Sequence, residues 1–170
     1  EKVAVTTMQA VSGGGYPGVP SLDILDNVVP YISGEEEKML VETKKVLGTA
    51  GSPAQIAITA SCNRVPTMDG HMEAVFVATK KKAEPGEVRE AFRQFEGLDL
   101  HSAPKRPIIV RDEPNRPQTQ LDRDAGNGMS IVVGRVRKDE VFGLAYTVLG
   151  HNTVRGGAGG AVLVAELCRR

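Results

Sequence analysis

The chain has 170 residues, of which 41% are hydrophobic and 25% are charged, the composition of an ordinary folded domain. Its 21 lysines and arginines equal its 21 aspartates and glutamates, so no general attraction to nucleic acid or to an anionic membrane is expected. No apolar run approaches the length of a membrane span, and the two cysteines have no zinc-site spacing, which predicts no metal site. Two thiols in a chain of this size favour a reducing compartment, the cytoplasm.

The first predicted elements are a strand and two helices. Residues 1–7 read like the middle of a strand, which favours a piece of a longer protein, and a glycine-rich loop follows at 13–18. Ser21 is predicted to cap a short helix that ends before Pro30. Residues 34–48 give the clearest helix pattern, because three glutamates at its start suit the positive helix end and a glycine terminates it.

The central part of the chain predicts two strands, a helix and a third, short strand. Residues 54–62 form an apolar, β-branched run typical of a strand, and 71–79 alternate between two faces. A helix is predicted at 85–95, with proline at its start, and a short strand at 107–111. The polar, proline-containing segment 113–127 is predicted to be a long exposed loop that is functional or binds a partner.

The last part of the chain predicts a hairpin and a helix. Residues 129–136 and 141–149 are typical of an antiparallel hairpin, and the glycine-rich stretch 156–160 leads into a terminal helix. Strands and helices do not alternate in strict βαβ order. The predicted fold class is therefore α+β, with a mixed, largely antiparallel sheet covered on one face by helices.

Arg64 and His71 form the pair that suggests chemistry. A proline and an Asp-Gly step between them predict a chain reversal, which would bring both side chains to the mouth of two adjacent strands. A histidine can take a proton from a thiol, and an arginine can hold a carboxylate by two parallel hydrogen bonds. Spacing alone favours the alternative interpretation, a surface histidine beside a structural arginine.

Several segments spread along nearly the whole chain resemble one known family in order and spacing. They are Gln9–Gly13, Glu35–Lys38, Ser61–Pro66, Asp69–His71, Arg111–Gly128 and His151–Gly156. Together they resemble the archaeal and fungal branch of the aspartate-semialdehyde dehydrogenases. Such separated motifs in one register are far more specific than any one of them.

The resemblance implies a role for each of five residues. His71 matches the general acid/base that activates a cysteine thiol, and Gln9 matches the residue that orients the acyl intermediate. Arg64 matches the group that holds the substrate's α-carboxylate. Glu35 matches the partner of the substrate's amino group, and Lys38 matches a phosphate binder. Spacing alone favours a solvated Glu35–Lys38 ion pair, worth ~0.2–0.5 kcal/mol.

Two parts of that family's machinery have no match in this chain. The family's nucleophile lies in an Asn-Cys-Ser/Thr segment, and its coenzyme is held by a strand–G-x-G-x-x-G–helix unit. The sequence has no Asn-Cys-Ser/Thr segment, and its G-x-G-x-x-G run at 13–18 lies in the predicted loop and does not open a helix. Cys62 matches a non-nucleophilic position beside Arg64, so a buried structural thiol is expected there.

The C-terminal segment matches the part of the family that lies near the coenzyme. Asn152, Gly156 and Gly157 match the region that approaches the nicotinamide end of NADP, although close packing is the neutral interpretation of such glycines. The resemblance implies that 1–150 is a substrate-binding and dimerisation domain and that 151–170 is a helix that would pack on an absent nucleotide-binding domain. NADP is not expected to bind this chain well by itself.

The full-length enzyme implied by the resemblance reduces L-aspartyl 4-phosphate with NADPH to L-aspartate 4-semialdehyde and releases phosphate, an early step toward lysine, threonine and methionine. The expected partners are a homodimer or higher homo-oligomer, the small-molecule substrate and phosphate. This chain alone is expected to be inactive. Two alternatives stay open: an autonomous, non-catalytic dimerisation module, and a related acyl-phosphate or aldehyde dehydrogenase with another substrate.

Overall fold

A computed structural model describes residues 1–169, and within that range the chain forms one six-stranded sheet and five α-helices. The strands are β1 Lys2–Gln9, β2 Ala57–Arg64, β3 His71–Ala78, β4 Ile108–Val110, β5 Ile131–Asp139 and β6 Gly143–Gly150. The helices are α1 Ser21–Ile24, α2 Glu35–Val46, α3 Pro85–Arg93, α4 Thr119–Asp122 and α5 Gly159–Cys168. A 3-10 turn follows β1 at Val11–Gly14, and a π-helical turn precedes α5 at Val154–Ala158.

The sheet is mixed, with strand order β2-β1-β3-β6-β5-β4. β1 runs parallel to β2, and β4 runs parallel to β5, while the other neighbours are antiparallel. The predicted hairpin is confirmed as β5 and β6, which carry a register shift between Gly134 and Arg137. The predicted α+β class with a mixed sheet is confirmed by this architecture.

The two longer internal helices pack on the same face of the sheet. From α2, Met39 places its sulfur 3.4 Å from the sulfur of Cys62 on β2. From α3, Phe92 stacks edge-to-face on Tyr146 of β6, with ring centroids 5.5 Å apart. The strand register puts Cys62 and Tyr146 on one face, because side chains opposite each other across neighbouring strands point the same way.

The other face of β1 and β3 is left partly open. Met8, Met72 and Ala74 are half-buried there, and Thr6 is exposed. These residues lie opposite one another by the strand register, so they form one continuous surface of small and apolar side chains. The predicted arrangement, in which helices cover one face, holds for this half of the sheet.

Arg64 and His71 do not lie on adjacent strands, so that part of the prediction is wrong. β1 pairs with both β2 and β3 and therefore lies between them. The connection from Val65 to Gly70 crosses the end of β1, and the Val65 N–H donates to the Gln9 carbonyl at 3.0 Å. It spans two strand spacings, about 10 Å.

The outer side of β2 is occupied by two other segments. Val29 forms an antiparallel bridge with Arg64, in which the two residues exchange N–H···O bonds of 2.9 and 3.0 Å. A Glu36 carboxylate oxygen accepts the N–H of Cys62 at 2.9 Å, which fixes the first turn of α2 against the strand. Ser21, predicted as a cap, lies inside α1, whose N-cap is Pro20.

The segment predicted to be a long exposed loop is partly buried and partly helical. It contains α4, and at the end of that helix the side chain of Asp122 is buried. Arg111 Nε and Arg116 Nε donate to the Asp122 carboxylate at 3.0 and 2.7 Å, and the Gln118 N–H donates at 2.8 Å. The polar residues of the segment therefore form hydrogen bonds to a buried carboxylate and do not only face solvent.

Within residues 1–169, no helix is long and apolar enough to cross a membrane.

Candidate functional site

The site lies on the helix-covered face, where β1 and β2 end and β3 begins. Gln9 closes β1 and is paired in register with Arg64, the last residue of β2, while His71 opens β3 on the other side of β1. A cleft of about 530 Å³ begins at Gln9, Arg64 and His71. All the predicted site residues except Gly157 line it: Gln9, Glu35, Lys38, Arg64, His71, Asn152 and Gly156.

Arg64 and His71 are joined through the backbone of Ala10. Arg64 Nη1 donates to the Ala10 carbonyl at 2.7 Å, and the Ala10 N–H donates to His71 Nδ1 at 3.1 Å. Gly13 lies against both side chains, because a Cβ at this position would be 2.9 Å from Arg64 Nη1 and from His71 Nε2. Arg64 is 7% exposed, and its guanidinium has no carboxylate partner within residues 1–169. A buried cation of this kind is suited to hold an anionic ligand.

The imidazole of His71 is held neutral. Burial, and then the positive charge of Arg64, lower the pKa of His71 to about 4, although Glu35 and Asp69 act in the opposite direction. Because Nδ1 accepts a backbone N–H, the neutral ring carries its proton on Nε2. Nε2 is therefore a hydrogen-bond donor, and proton uptake at Nδ1 would displace the Ala10 N–H.

Glu35 connects Gln9 to Lys38. Gln9 Nε2 donates to one carboxylate oxygen of Glu35 at 3.3 Å, and Lys38 Nζ lies 3.6 Å from the other oxygen. The neighbouring glutamates do not compete for this role, since Glu36 binds the Cys62 N–H and Glu37 is exposed. α2 begins at Glu35 because Gly34 adopts a left-handed conformation, with φ of 70°, which turns the chain toward the cleft.

Asn152 lies in the cleft with its amide already bound within the protein. Its Oδ1 accepts the Gly70 N–H at 2.9 Å, and its Nδ2 donates to Ser12 Oγ at 2.8 Å. Gly156 is exposed at the rim, where the first atom that a Cβ would meet is 4.0 Å away. The rim at this glycine is therefore open to close approach by a flat ring.

Three titratable residues of the cleft were not among the predicted site residues: Glu73, His151 and Arg155. Glu73 lines the cleft two positions after His71, and burial raises the pKa of its carboxyl, which forms no hydrogen bond within the described part of the chain. Strand alternation already placed Glu73 on the same face as His71. His151 is 9% exposed, and its Nε2 lies 3.7 Å from Asp124. His151 lies in the family-like segment His151–Gly156, but the resemblance implied no role for this histidine.

Neither cysteine is placed to act as a nucleophile. Cys62 is fully buried beside Met39, and burial raises the pKa of its thiol, which disfavours the reactive thiolate. Cys168 is exposed at the end of α5. Across residues 1–169, no group of three or more His, Cys, Asp or Glu side chains is arranged to hold a metal ion.

Comparison with protein families gives a match over most of the chain. Residues 1–155 match the family described as "Semialdehyde dehydrogenase, dimerisation domain". The aspartate-semialdehyde dehydrogenase of Archaeoglobus fulgidus is 56% identical over 169 residues, which is 97% of this chain and 49% of that protein. The enzyme of the same name from Aspergillus fumigatus is 46% identical over 183 residues, covering 98% of this chain and 50% of that protein. This chain thus spans about half the length of these curated relatives.

Solved structures give the same correspondence. The crystal structure described as aspartate semialdehyde dehydrogenase with NADP from Candida albicans superimposes with a TM-score of 0.87 at 43% identity, covering 99% of this chain and 50% of that one. The Vibrio cholerae aspartate semialdehyde dehydrogenase II complexed with ASA gives a TM-score of 0.78 at 30% identity, covering 98% of this chain and 54% of that one.

Proposed function

Because the chain belongs to the semialdehyde dehydrogenase dimerisation-domain family, we propose that it is the substrate-binding and dimerisation part of an aspartate-semialdehyde dehydrogenase. The full-length enzyme would reduce L-aspartyl 4-phosphate with NADPH to L-aspartate 4-semialdehyde and release phosphate. The observation that carries this proposal is the convergence of Gln9, Arg64 and His71 at the mouth of one cleft, with Glu35 and Lys38 beside them.

The charges of the cleft suit the two ends of an aspartyl phosphate. Arg64, buried and without a carboxylate partner in the described chain, would hold the α-carboxylate by paired hydrogen bonds. Glu35 would hold the ammonium group, and Lys38 the phosphate. Glu35 and Lys38 form an ion pair at 3.6 Å, so substrate binding would replace their contact with contacts to opposite charges on the substrate.

His71 and Gln9 would act on the reacting acyl group. The donor Nε2–H of His71 can supply a hydrogen bond or a proton to a developing negative charge. Accepting a proton from a thiol would require the ring proton to move to Nδ1, which the Ala10 N–H opposes. Gln9, held at its Nε2 by Glu35, keeps its amide oxygen available to orient the acyl intermediate.

NADP, when bound, supplies the hydride. Asn152, Gly156 and Gly157 are the residues that we assign to its nicotinamide end, and the open rim at Gly156 fits a planar ring. The side chain of Asn152 is already committed to Ser12 and Gly70, so contact from this segment would come through its backbone.

The isolated chain should be inactive, because its own cysteines are not placed as nucleophiles and it carries no dinucleotide-binding unit. The test is an assay of NADP-dependent turnover with purified chain and L-aspartate 4-semialdehyde plus phosphate, the reverse reaction. Turnover by the isolated chain would contradict the assignment. In the full-length protein, Lys38→Ala should weaken phosphate use, whereas Lys45→Ala, on an exposed position of the same helix, should not.

Self-association is proposed through the open face of β1 and β3. The surface of Met8, Met72 and Ala74 with Thr6 is continuous and largely apolar, and a twofold axis through such a sheet face would bury the same surface from each subunit. This observation also favours the alternative of an autonomous dimerisation module. Light scattering across a concentration series tests it, and a strict monomer at high concentration would contradict it.

The division of the chain into 1–150 and 151–170 belongs to the same proposal. Glu166 of α5 accepts the N–H and hydroxyl of Ser102 at 3.0 and 2.8 Å, while Val162 and Val164 are more than half exposed. We assign the exposed apolar side of α5 to the nucleotide-binding domain.

A cytoplasmic location accords with two unpaired cysteines.

A further inference from the structure

Three loops meet at the side chain of Asn152. The residue follows β6, its Oδ1 binds the turn between β2 and β3 at Gly70, and its Nδ2 binds the turn after β1 at Ser12. These partners are 82 and 140 positions away in the chain. The two loops also bind each other, since the Ser12 N–H donates to the Met68 carbonyl at 3.2 Å.

We call the two side-chain hydrogen bonds of Asn152 the Asn152 clamp. Its first arm, the bond to Gly70, fixes the backbone that carries His71. Gly70 precedes His71 directly, is buried, and has a φ of 96°, a conformation that favours glycine. A Cβ here would lie 3.2 Å from Arg123 Cβ and 3.3 Å from Leu149 Cδ1, so the peptide has little room to move. The bond from its N–H to Asn152 therefore sets the direction in which β3 begins.

The second arm fixes the donor that binds the imidazole. Ser12 belongs to the 3-10 turn that begins immediately after Ala10, and the Ala10 N–H donates to His71 Nδ1. Holding Ser12 holds the position of this turn relative to β3. The position of the His71 ring and that of its hydrogen-bond donor, the Ala10 N–H, thus both depend on the side-chain amide of Asn152.

We propose that Asn152 is a positioning residue that maintains His71 as the Nε2–H tautomer by fixing the ring-bearing turn and the donor-bearing turn together. The inference rests on the proposed function of His71 as the proton-handling group. Arg64 on β2, Glu35 on α2 and Asp69 in the turn are the charged groups that face the ring. None of them bonds to the Asn152 side chain, so a substitution at 152 leaves their number and charge unchanged.

The test is nitrogen NMR of the histidine rings in the 170-residue chain, with the His71 signals assigned from the spectrum of His71→Gln. In the unsubstituted chain, Nδ1 should have the shift of an unprotonated nitrogen and Nε2 that of a protonated one. Asn152→Ala should give a mixture of tautomers, because neither turn is then bound to the segment that follows β6. Asn152→Asp keeps an acceptor for Gly70 and can accept the Ser12 hydroxyl proton, so it should keep the Nε2–H tautomer.

Asn63→Ala is the matched control. Its amide donates to the Thr7 carbonyl at 3.0 Å and has no bond to the turns around His71, so the tautomer should not change. An unchanged His71 spectrum in a folded Asn152→Ala chain would overturn the proposal. If that variant does not fold, Ser12→Ala removes one arm only, and it should still shift the tautomer ratio; an unchanged ratio there would overturn the proposal as well.

The tautomer measurement does not depend on turnover. If the tautomer responds to Asn152 as expected while the full-length protein fails to use L-aspartyl 4-phosphate, the proposed function is wrong and the positioning role stands. If the full-length protein is active and the tautomer is indifferent to Asn152, the positioning role is wrong.

Discussion

Arg64 and His71 bind the two polar groups of the same backbone residue, one holding the carbonyl of Ala10 and the other its N–H. The guanidinium would anchor the substrate, and the imidazole would handle its proton. Because both side chains bind the backbone of Ala10, a displacement of either one is transmitted to the other. Substitutions around Ala10 should therefore affect substrate binding and chemistry together.

Gly13→Ala is predicted to impair catalysis with little loss of stability. The new Cβ would lie 2.9 Å from Arg64 Nη1 and from His71 Nε2, so these side-chain ends must shift. A displacement of this size should lower kcat/KM of the full-length protein by roughly 10–100-fold. Gly14→Ala is the control, since its Cβ would meet no atom closer than 3.5 Å. Equal effects of the two substitutions would contradict the prediction.

Arg64→Lys should weaken substrate binding although it keeps the positive charge. An ammonium group cannot form two parallel hydrogen bonds to a carboxylate, and the bond to the Ala10 carbonyl at 2.7 Å would also be lost. We expect KM for aspartate semialdehyde to rise about 10–100-fold in the full-length protein, the equivalent of roughly 1.5–3 kcal/mol for a charged hydrogen bond. Steady-state kinetics measure this, and an unchanged KM would exclude Arg64 as the carboxylate anchor.

His71 should make stability depend on pH below neutrality. Its pKa is about 4 in the folded chain, against about 6.5 when unfolded, so between these values the unfolded chain binds more protons. The contribution is therefore fully present above pH ~6.5 and is lost as pH falls toward 4. Solvent screening at a ring that is not fully buried reduces it to on the order of 2 kcal/mol.

Urea unfolding of the chain at pH 7 and pH 5 measures this dependence. His71→Gln removes the titrating group, so the free energy of unfolding should change less between the two pH values. His101→Gln, on an exposed residue, is the comparison that should retain the full dependence. A wild-type pH dependence in His71→Gln would show that other groups are responsible.

Asp122→Asn should destabilise the fold by about 3 kcal/mol, because it leaves two arginines without their buried partner. Hydrogen bonds and charge from Arg116, with the Gln118 N–H, outweigh burial and hold the pKa of Asp122 below its ordinary value. Asp124→Asn nearby, with a side chain 75% exposed, should change stability by less than about 0.5 kcal/mol. Chemical denaturation of both variants at pH 7 checks the difference.

The sequence predicts the local elements of this fold better than their arrangement. The alternation of His71 to Ala78 and the glutamate-led start of α2 are written in neighbouring residues, and both elements form as predicted. The insertion of β1 between β2 and β3 depends on pairing between strands some fifty and more positions apart, which no local pattern encodes.

The candidate site shows the same difference between local patterns, which the sequence reveals, and long-range contacts, which it does not. Arg64 and His71 were identified from a turn between them and from family motifs. The clamp at Asn152 could not be identified in this way, because its partners are a backbone N–H and a serine hydroxyl that become neighbours only in the folded chain. The burial of Asp122 differs from the exposed loop predicted for 113–127, because polar composition indicates exposure unless the arginine partners of a carboxylate are known.

The contacts of Val29 and Glu36 along β2 have a consequence for how copies of this chain can associate. An edge strand with unpaired backbone amides can pair with any other extended chain, and repeated pairing of this kind leads to aggregation. Here the amides of Arg64 and Cys62 are already satisfied by Val29 and Glu36. Strand-by-strand polymerisation is thereby discouraged at this edge, which is compatible with the proposed closed pair built on the open face of β1 and β3.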